Sequence, residues 1–188
     1  MTDTTSLAQI PGYVAGAWSI DPVHSEVGFS VRHMMVSKVR GKFKTFTGEL
    51  VTGENPLASS VTAEIDLTSI DTGNAQRDDH IRSADFFEVE TYQTMSCRST
   101  KVVPDGDDYK VEGELTLHGV TRPVTLELEL NGFGPDAYGG TRAGFSAKTE
   151  ISRKEYGVDI DMPMDGGGVV VGDKIAVELE IEAVLRTA

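Results

Sequence analysis

The stretch Ile175-Ala-Val-Glu-Leu-Glu-Ile-Glu-Ala-Val-Leu185 decides the fold class. Its odd positions are all apolar, whereas positions 178, 180 and 182 are all glutamate. Side chains of a β-strand point alternately to opposite faces, so a period of two predicts a strand with one buried face and one solvated face.

The same period recurs along the chain and predicts an all-β fold. It is clearest in residues 27–33, 61–67, 109–117, 124–130 and 145–151, and shorter segments at 14–20, 39–51 and 94–103 extend it. Within 39–51 the apolar phase changes between Phe43 and Phe46, which predicts a bulge near Thr45. We therefore expect about eight or nine antiparallel strands, arranged as a sandwich or a barrel.

Residues 74–87 interrupt this pattern, because Ile81 is their only β-branched residue. Asn74 can cap a short helix, and Ser83 can cap a second turn. We interpret the segment as a helical excursion across one end of the barrel.

Composition limits the class of function. The 188 residues suit a single domain over 14–188, preceded by a flexible extension over 1–13. Acidic residues outnumber basic ones 30 to 17, which argues against general nucleic-acid binding. Cys97 is the only cysteine, so neither an intramolecular disulfide nor a multi-cysteine zinc site can form. The first residues lack the pattern of a secretory signal, so we expect a cytoplasmic protein.

No cofactor or metal is expected. The triple glycine at 166–168 is not followed by Lys and Ser or Thr, so it is not a phosphate-binding P-loop. The segment Asp21-Pro-Val-His24-Ser25 suggests a structural hydrogen bond between Asp21 and His24 rather than a catalytic relay.

Three groups of polar residues are candidates for function, and each has a structural alternative. His33 shares the face of Val27, Phe29 and Val31, so it either bonds to a core neighbour or lines a ligand cavity. Arg77 and Arg82 in the helical excursion could grip a phosphate, or Arg82 could simply pair with Asp78. We name the third group the basic stripe, and it consists of Arg32, Lys38, Arg40, Lys42 and Lys44. It is a solvated face, or it forms cross-strand pairs with a stripe such as glutamates 178, 180 and 182. The alternative is a landing surface for an anionic head group or a membrane.

An ordered set of motifs resembles the YceI-like family of polyisoprenoid-binding, lipocalin-like proteins. The matching pieces span about residues 14–186 and include Trp18–Phe29, Val31–His33, Gly41–Gly48, Ile70–Gly73, Arg77–Phe87, Gly113–Thr121, Ala143–Ala147 and Ile151–Gly157.

The resemblance implies an extended eight-stranded antiparallel barrel that binds an isoprenoid or fatty long-chain lipid, without cofactor and often as a dimer. By position, His24, His33, Arg77, Asp78 and Arg153 match the polar residues of the family motifs. We expect the head group, polar or a pyrophosphate, at the barrel mouth near Arg77, His80, Arg82 and Arg153. Asp78 is a further predicted ligand contact. The remaining predicted ligand contacts are His33 and the apolar residues Phe29, Val31, Phe43, Ile65, Ile81, Phe86, Leu115, Leu117, Phe145, Ile151 and Leu179.

Two other classes of function fit the same residues. One is an enzyme that acts on a lipid-like substrate, with His24, His33 or His80 as acid or base. The other is a filled barrel that docks an anionic partner through the basic stripe. Peripheral contact with a membrane and a homodimer are also expected.

Overall fold

The computed structural model describes residues 10–161 and 170–187, and the predictions for residues 1–9 and for the triple glycine lie outside them. Eleven strands and one α-helix make up the described chain. The helix α1 is Ala75–Arg82, and the strands are β1 (Gly16–Ile20), β2 (Glu26–His33), β3 (Ser37–Phe43), β4 (Phe46–Thr52), β5 (Ser60–Asp66), β6 (Ile70–Asp71), β7 (Thr94–Asp105), β8 (Asp108–Leu117), β9 (Val120–Pro135), β10 (Thr141–Ser152) and β11 (Val171–Leu185).

Eight of these strands close an antiparallel barrel in the order β1-β4-β5-β7-β8-β9-β10-β11, with β11 returning to β1. β11 is much longer than β1, and its first part pairs with β2 instead. β3 then pairs with β2, and the two-residue strand β6 pairs with β3. The predicted all-β, eight-stranded antiparallel barrel is confirmed.

The change of phase at residues 44–45 takes a different form from the predicted bulge. Here one strand ends at Phe43 and the next begins at Phe46, so the sheet is interrupted rather than bulged. Both phenylalanine side chains are buried as a result. The interruption lets an odd and an even position point to the same interior.

Helix α1 begins where the sequence predicts and lies at one end of the barrel, which we name the helix end. The Asn74 side chain accepts a hydrogen bond from the Arg77 amide at 2.9 Å, as an N-cap should. β8 and β10 finish at this end with Leu117 and Ile151, which line the same space as Ile81 of the helix. Within the described residues, no helix has the length and apolar character that crossing a membrane requires.

The opposite end is closed by a compact cluster around Trp18. Its indole Nε1 donates to the Thr52 hydroxyl at 2.8 Å, and that hydroxyl donates to the Val14 carbonyl at 2.7 Å. Tyr13 donates to the Gly53 carbonyl at 2.6 Å and packs edge-on against Phe133. Tyr13 is thus packed, partly buried, against the end of the barrel. The flexible extension over 1–13 and the single domain over 14–188 stay predictions.

The hairpin between β2 and β3 turns through Met34 and Met35, which adopt positive φ angles of 50° and 64°. The connection has three residues, 34–36, because His33 pairs with Ser37 in the ladder. A turn with positive φ at two successive positions favours Asn-Gly, because a side chain in the left-handed region costs about 1–2 kcal/mol. The next residue, Val36, is one of the most exposed apolar residues of the described chain. The tip of this hairpin is therefore both strained and apolar.

Candidate ligand-binding cavity

A cavity of about 720 Å³ runs through the barrel interior. This volume lies within the roughly 300–1,000 Å³ of small-molecule sites. The filled barrel considered from the sequence is therefore wrong. All the apolar side chains that the sequence predicts as ligand contacts line the cavity, namely Phe29, Val31, Phe43, Ile65, Ile81, Phe86, Leu115, Leu117, Phe145, Ile151 and Leu179.

The predicted contacts omit one whole wall of the cavity. Val124, Leu126, Leu128 and Leu130 of β9 all face inward. Their alternation was visible in the sequence, so the same period would have identified them. Cys97 also lines the cavity, and burial raises the pKa of its thiol.

The polar residues predicted as ligand contacts divide into two groups. His33, Arg77, His80 and Arg153 line the cavity, and they come from the parts of the chain that meet at its helix end. Asp78 and Arg82 do not line it. The other four predicted polar contacts, at positions 77, 78, 80 and 82, lie on one short helix. The direction of each side chain therefore decides which of the four reach the interior of the barrel.

Arg77 is held by neutral partners. Its Nε donates to the Thr72 hydroxyl at 2.7 Å, and Nη2 donates to the Thr72 carbonyl at 2.7 Å. The same hydroxyl donates to Asp78 Oδ1 at 2.5 Å. Thr72 thus separates the guanidinium from the buried carboxylate. Among the described residues, no carboxylate oxygen lies within 4 Å of the Arg77 guanidinium, and Nη1 has no hydrogen-bond partner.

Asp78 and Arg82 serve other contacts. Asp78 is buried and also accepts from the Thr72 amide at 3.0 Å. Arg82 donates to the Thr68 and Ile70 carbonyls and pairs with Asp79 at 2.9 Å. The alternative Asp78–Arg82 pair is therefore wrong, because a closer backbone and hydroxyl partner satisfies Asp78.

Arg153 is 4% exposed, and its guanidinium is fully committed to the backbone. It donates to three carbonyls, those of Val158 at 2.8 Å, Gly172 at 2.9 Å and Val171 at 3.1 Å. The nearest carboxylate among the described residues is Asp161, at 3.5 Å. The side chain therefore ties Val158 to the first two residues of β11, and its charge lies beside the cavity.

His24 and His80, which the enzyme hypothesis offers as acid or base, each pair with a carboxylate. His80 Nε2 lies 2.8 Å from Asp85, at the cavity rim. His24 Nδ1 lies 2.7 Å from Asp21, which confirms the predicted structural bond. Ser25 bonds to the backbone of Glu182, so these residues do not form a serine relay.

Asp21, His24 and Glu182 lie close enough together to hold a metal ion. A guanidinium already fills this role, since Arg142 Nη1 lies 2.8 Å from Asp21 and 3.5 Å from Glu182. Asp136 joins the same group at 3.3 Å. The hydrogen bond from Arg142, supported by His24, holds the pKa of Asp21 well below its usual range. A second cation at this place would meet direct repulsion.

The basic stripe points away from the cavity except at Arg32, which reaches its rim. Lys44 pairs with Asp71 at 3.2 Å. In the described ranges, no ion pair links the stripe to glutamates 178, 180 and 182, because β2 lies between β3 and β11. The predicted pairing of the basic stripe with these glutamates is therefore wrong.

Comparison with known proteins identifies the family. Residues 18–183 match the YceI-like domain. Protein YceI of Escherichia coli O17:K52:H18 is 44% identical over 152 residues, which cover 79% of this chain and 80% of that protein. The UPF0312 protein VPA0850 of Vibrio parahaemolyticus is 39% identical over 190 residues, covering 97% and 96%.

Solved structures share the fold. BcnA of Burkholderia cenocepacia superimposes with a TM-score of 0.76 at 23% identity, covering 87% of this chain and 98% of that chain. A domain from Saccharophagus degradans, described as polyisoprenoid-binding and implicated in plant cell wall breakdown, gives a TM-score of 0.70 at 18% identity, covering 92% and 100%. With its barrel, its motifs and these relatives, the chain belongs to the YceI-like family.

Proposed function

We propose that this protein binds an isoprenoid or related long-chain lipid, with the apolar tail inside the barrel and a polar or pyrophosphate head at the helix end. The observation that carries the proposal is the asymmetry of the cavity. Its walls are apolar along the barrel, and two guanidinium groups lie beside its helix end. Arg77 has no carboxylate within 4 Å among the described residues, whereas Arg153 lies 3.5 Å from Asp161. An amphiphile with one anionic end matches this distribution.

The energetics of the tail support such binding. Burying an aliphatic chain contributes about 0.8 kcal/mol per CH₂ group. A chain of about ten carbons could therefore reach roughly micromolar affinity after the costs of association. At the head, the unpaired Nη1 of Arg77 is available as a donor to a phosphate oxygen.

The polyisoprenoid-binding domain of Saccharophagus degradans supports the ligand class, because its barrel has the same fold. The proposal also includes a homodimer, peripheral contact with a membrane and a cytoplasmic location. Light scattering on the purified protein tests the homodimer, and fractionation of the source cells tests the cytoplasmic location.

Native mass spectrometry of the purified protein, followed by organic extraction and lipid identification, tests the proposal directly. We expect a stoichiometric isoprenoid or long-chain lipid, or stoichiometric uptake of an added prenyl alcohol. A protein that carries no lipid and takes up neither prenyl alcohols nor prenyl phosphates would contradict the proposal.

A pair of adjacent substitutions tests whether the tail lies in the cavity. Ala147 is buried and lines the cavity. Its ladder partners on the two adjacent strands, Leu128 and Leu179, are also cavity residues. Lys148 is next in the strand and points to solvent. We expect Ala147→Trp to weaken binding of a long prenyl alcohol at least about tenfold, because the indole occupies the space of several methylenes.

Lys148→Trp is the matched control and should leave the affinity unchanged. Fluorescence titration with the same alcohol measures both, and circular dichroism confirms that both variants fold. Equal affinities for the two folded variants would place the tail outside the barrel.

A further inference from the structure

The tip of the β2–β3 hairpin combines apolar exposure with positive charge. Met34, Met35 and Val36 are 43%, 57% and 83% exposed. Arg32 and Lys38 face each other directly behind the tip, and Arg40 lies two residues further along β3. We propose that this hairpin docks on an anionic phospholipid bilayer, with Met34, Met35 and Val36 entering the interface and the three cations contacting phosphate groups.

The charge distribution favours an anionic surface as the occupant. Residues 27–48 contain five of the 17 Lys and Arg residues and none of the 30 acidic residues. Lys42 lies opposite Asp71 in the ladder and Lys44 pairs with it, but these two are furthest from the tip. In the part of the chain that the structure describes, Arg32, Lys38 and Arg40 have no carboxylate within 4 Å.

The rest of the surface sets the orientation. The chain as a whole carries a net charge of −13, so an anionic bilayer repels most of its faces. At the hairpin, exposed apolar side chains lie next to cations that attract anionic head groups. Docking through it is therefore weak, reversible and directional, as expected for a short apolar loop with a few cations.

The backbone of the tip supports a role in binding rather than in folding. Met34 and Met35 hold left-handed conformations that Asn and Gly adopt more readily. Two exposed methionines in such a turn neither ease the turn nor contribute to the core. An interface with lipid would use both their apolar character and their flexibility.

Docking places the cavity next to the membrane. Arg32 and His33, at the base of the tip, both line the cavity. A bilayer held at the tip would thus lie at the same end as Arg77, where a lipid head is proposed to sit. The docking assigns a surface to the membrane contact of the proposed function, and this consequence rests in addition on the proposed lipid site in the cavity.

Flotation with phosphatidylcholine vesicles, with and without phosphatidylglycerol, tests the docking. We expect the full-length protein to float only with the vesicles that contain phosphatidylglycerol, and to dissociate at high salt because screening weakens surface electrostatics. Equal binding to neutral vesicles, or no binding to anionic ones at low salt, would overturn the proposal.

Two variants locate the surface. Met34→Asn with Met35→Gly should lower vesicle affinity at least about tenfold while the melting temperature stays equal or rises, since the turn becomes favourable. Arg40→Glu should lower affinity more than about fivefold, the effect of removing one surface cation. Lys101→Glu, exposed on β7 away from the hairpin, is the charge-matched control and should have little effect.

The outcomes separate docking from lipid binding in the cavity. The methionine variant should still take up a prenyl alcohol in native mass spectrometry, as the cavity is untouched. Unchanged flotation of this variant would overturn the docking even if the cavity binds lipid. A change in its oligomeric state without a change in flotation would also overturn it, because the tip would then be a contact between copies of the chain.

Discussion

The two arginines at the ends of β10 use the same side chain in opposite ways. Arg142 stands at the start of the strand and Arg153 directly after its end, roughly 35 Å away at about 3.3 Å per residue. Arg142 is surrounded by Asp21, Asp136 and Glu182. Arg153 is held by three carbonyls, and Arg77, which also lines the cavity, is held by Thr72.

The difference shows how a chain with a net charge of −13 can keep guanidinium groups that are not surrounded by carboxylates. Three carboxylates neutralise Arg142, so that cluster ties β10 to β11 and to the segment after β1. Carbonyl and hydroxyl partners fix a guanidinium without cancelling its charge. The helix end therefore holds two guanidinium groups beside an apolar cavity: Arg77, held by Thr72, and Arg153, held by three carbonyls and 3.5 Å from Asp161.

The largest expected effect is on stability at the helix end. Arg153→Leu removes the donor to three carbonyls, and each buried acceptor left unpaired costs about 1–3 kcal/mol. We expect the free energy of unfolding to fall by about 3–5 kcal/mol, as measured by urea denaturation. A fall in the free energy of unfolding below about 1 kcal/mol would show that the three carbonyls do not depend on Arg153, and the contrast with Arg142 would fail.

A smaller effect is expected on binding at Arg77. Arg77→Met should weaken a prenyl pyrophosphate about tenfold or more, since a charge-assisted hydrogen bond is lost, while a prenyl alcohol of the same length binds unchanged. Arg82→Met is the matched control, because it removes the same charge from the same helix outside the cavity. Isothermal titration of both ligands measures the four affinities. Equal losses for the two variants would mean that overall charge, not position, attracts the ligand.

The smallest effect is expected at Arg142 and depends on pH. The pKa of Asp21 is lowered in the folded state, mainly by Arg142, from an ordinary value of 3.8. A carboxyl with a lowered pKa stabilises the fold above its unfolded pKa, and this contribution is lost as the pH falls below about 4. Arg142→Met should therefore destabilise the protein most at neutral pH.

Urea denaturation at several pH values between neutral and about 3 checks this prediction. The difference in the free energy of unfolding between Arg142→Met and the unmodified protein should become smaller as the solution becomes acidic. Arg98→Met, which breaks an exposed pair with Glu114, is the control and should show a small gap at every pH. A gap at Arg142 that does not change with pH would mean that Asp21 titrates normally.

The strands and the inward faces were largely readable from the chain, because side-chain direction in a strand follows from position alone. The alternation in 175–185 predicts β11 and the inward direction of Leu179, and the change of phase at 44–45 locates the interruption between β3 and β4. Asn74 marks the start of α1 for the same reason: a cap is a contact between residues three apart. Local geometry is sufficient for such features.

The size of the cavity and the state of each charge depended on the tertiary structure, since they arise between residues far apart in sequence. Asp21 meets Arg142 across 121 positions, and the carbonyls that hold Arg153 belong to a loop and to the next strand. The sequence predicted that Arg77 and Arg82 would act alike, yet only Arg77 reaches the cavity. Whether eight alternating strands enclose a space or a packed core is set by how they close, and the period of two is the same in either case.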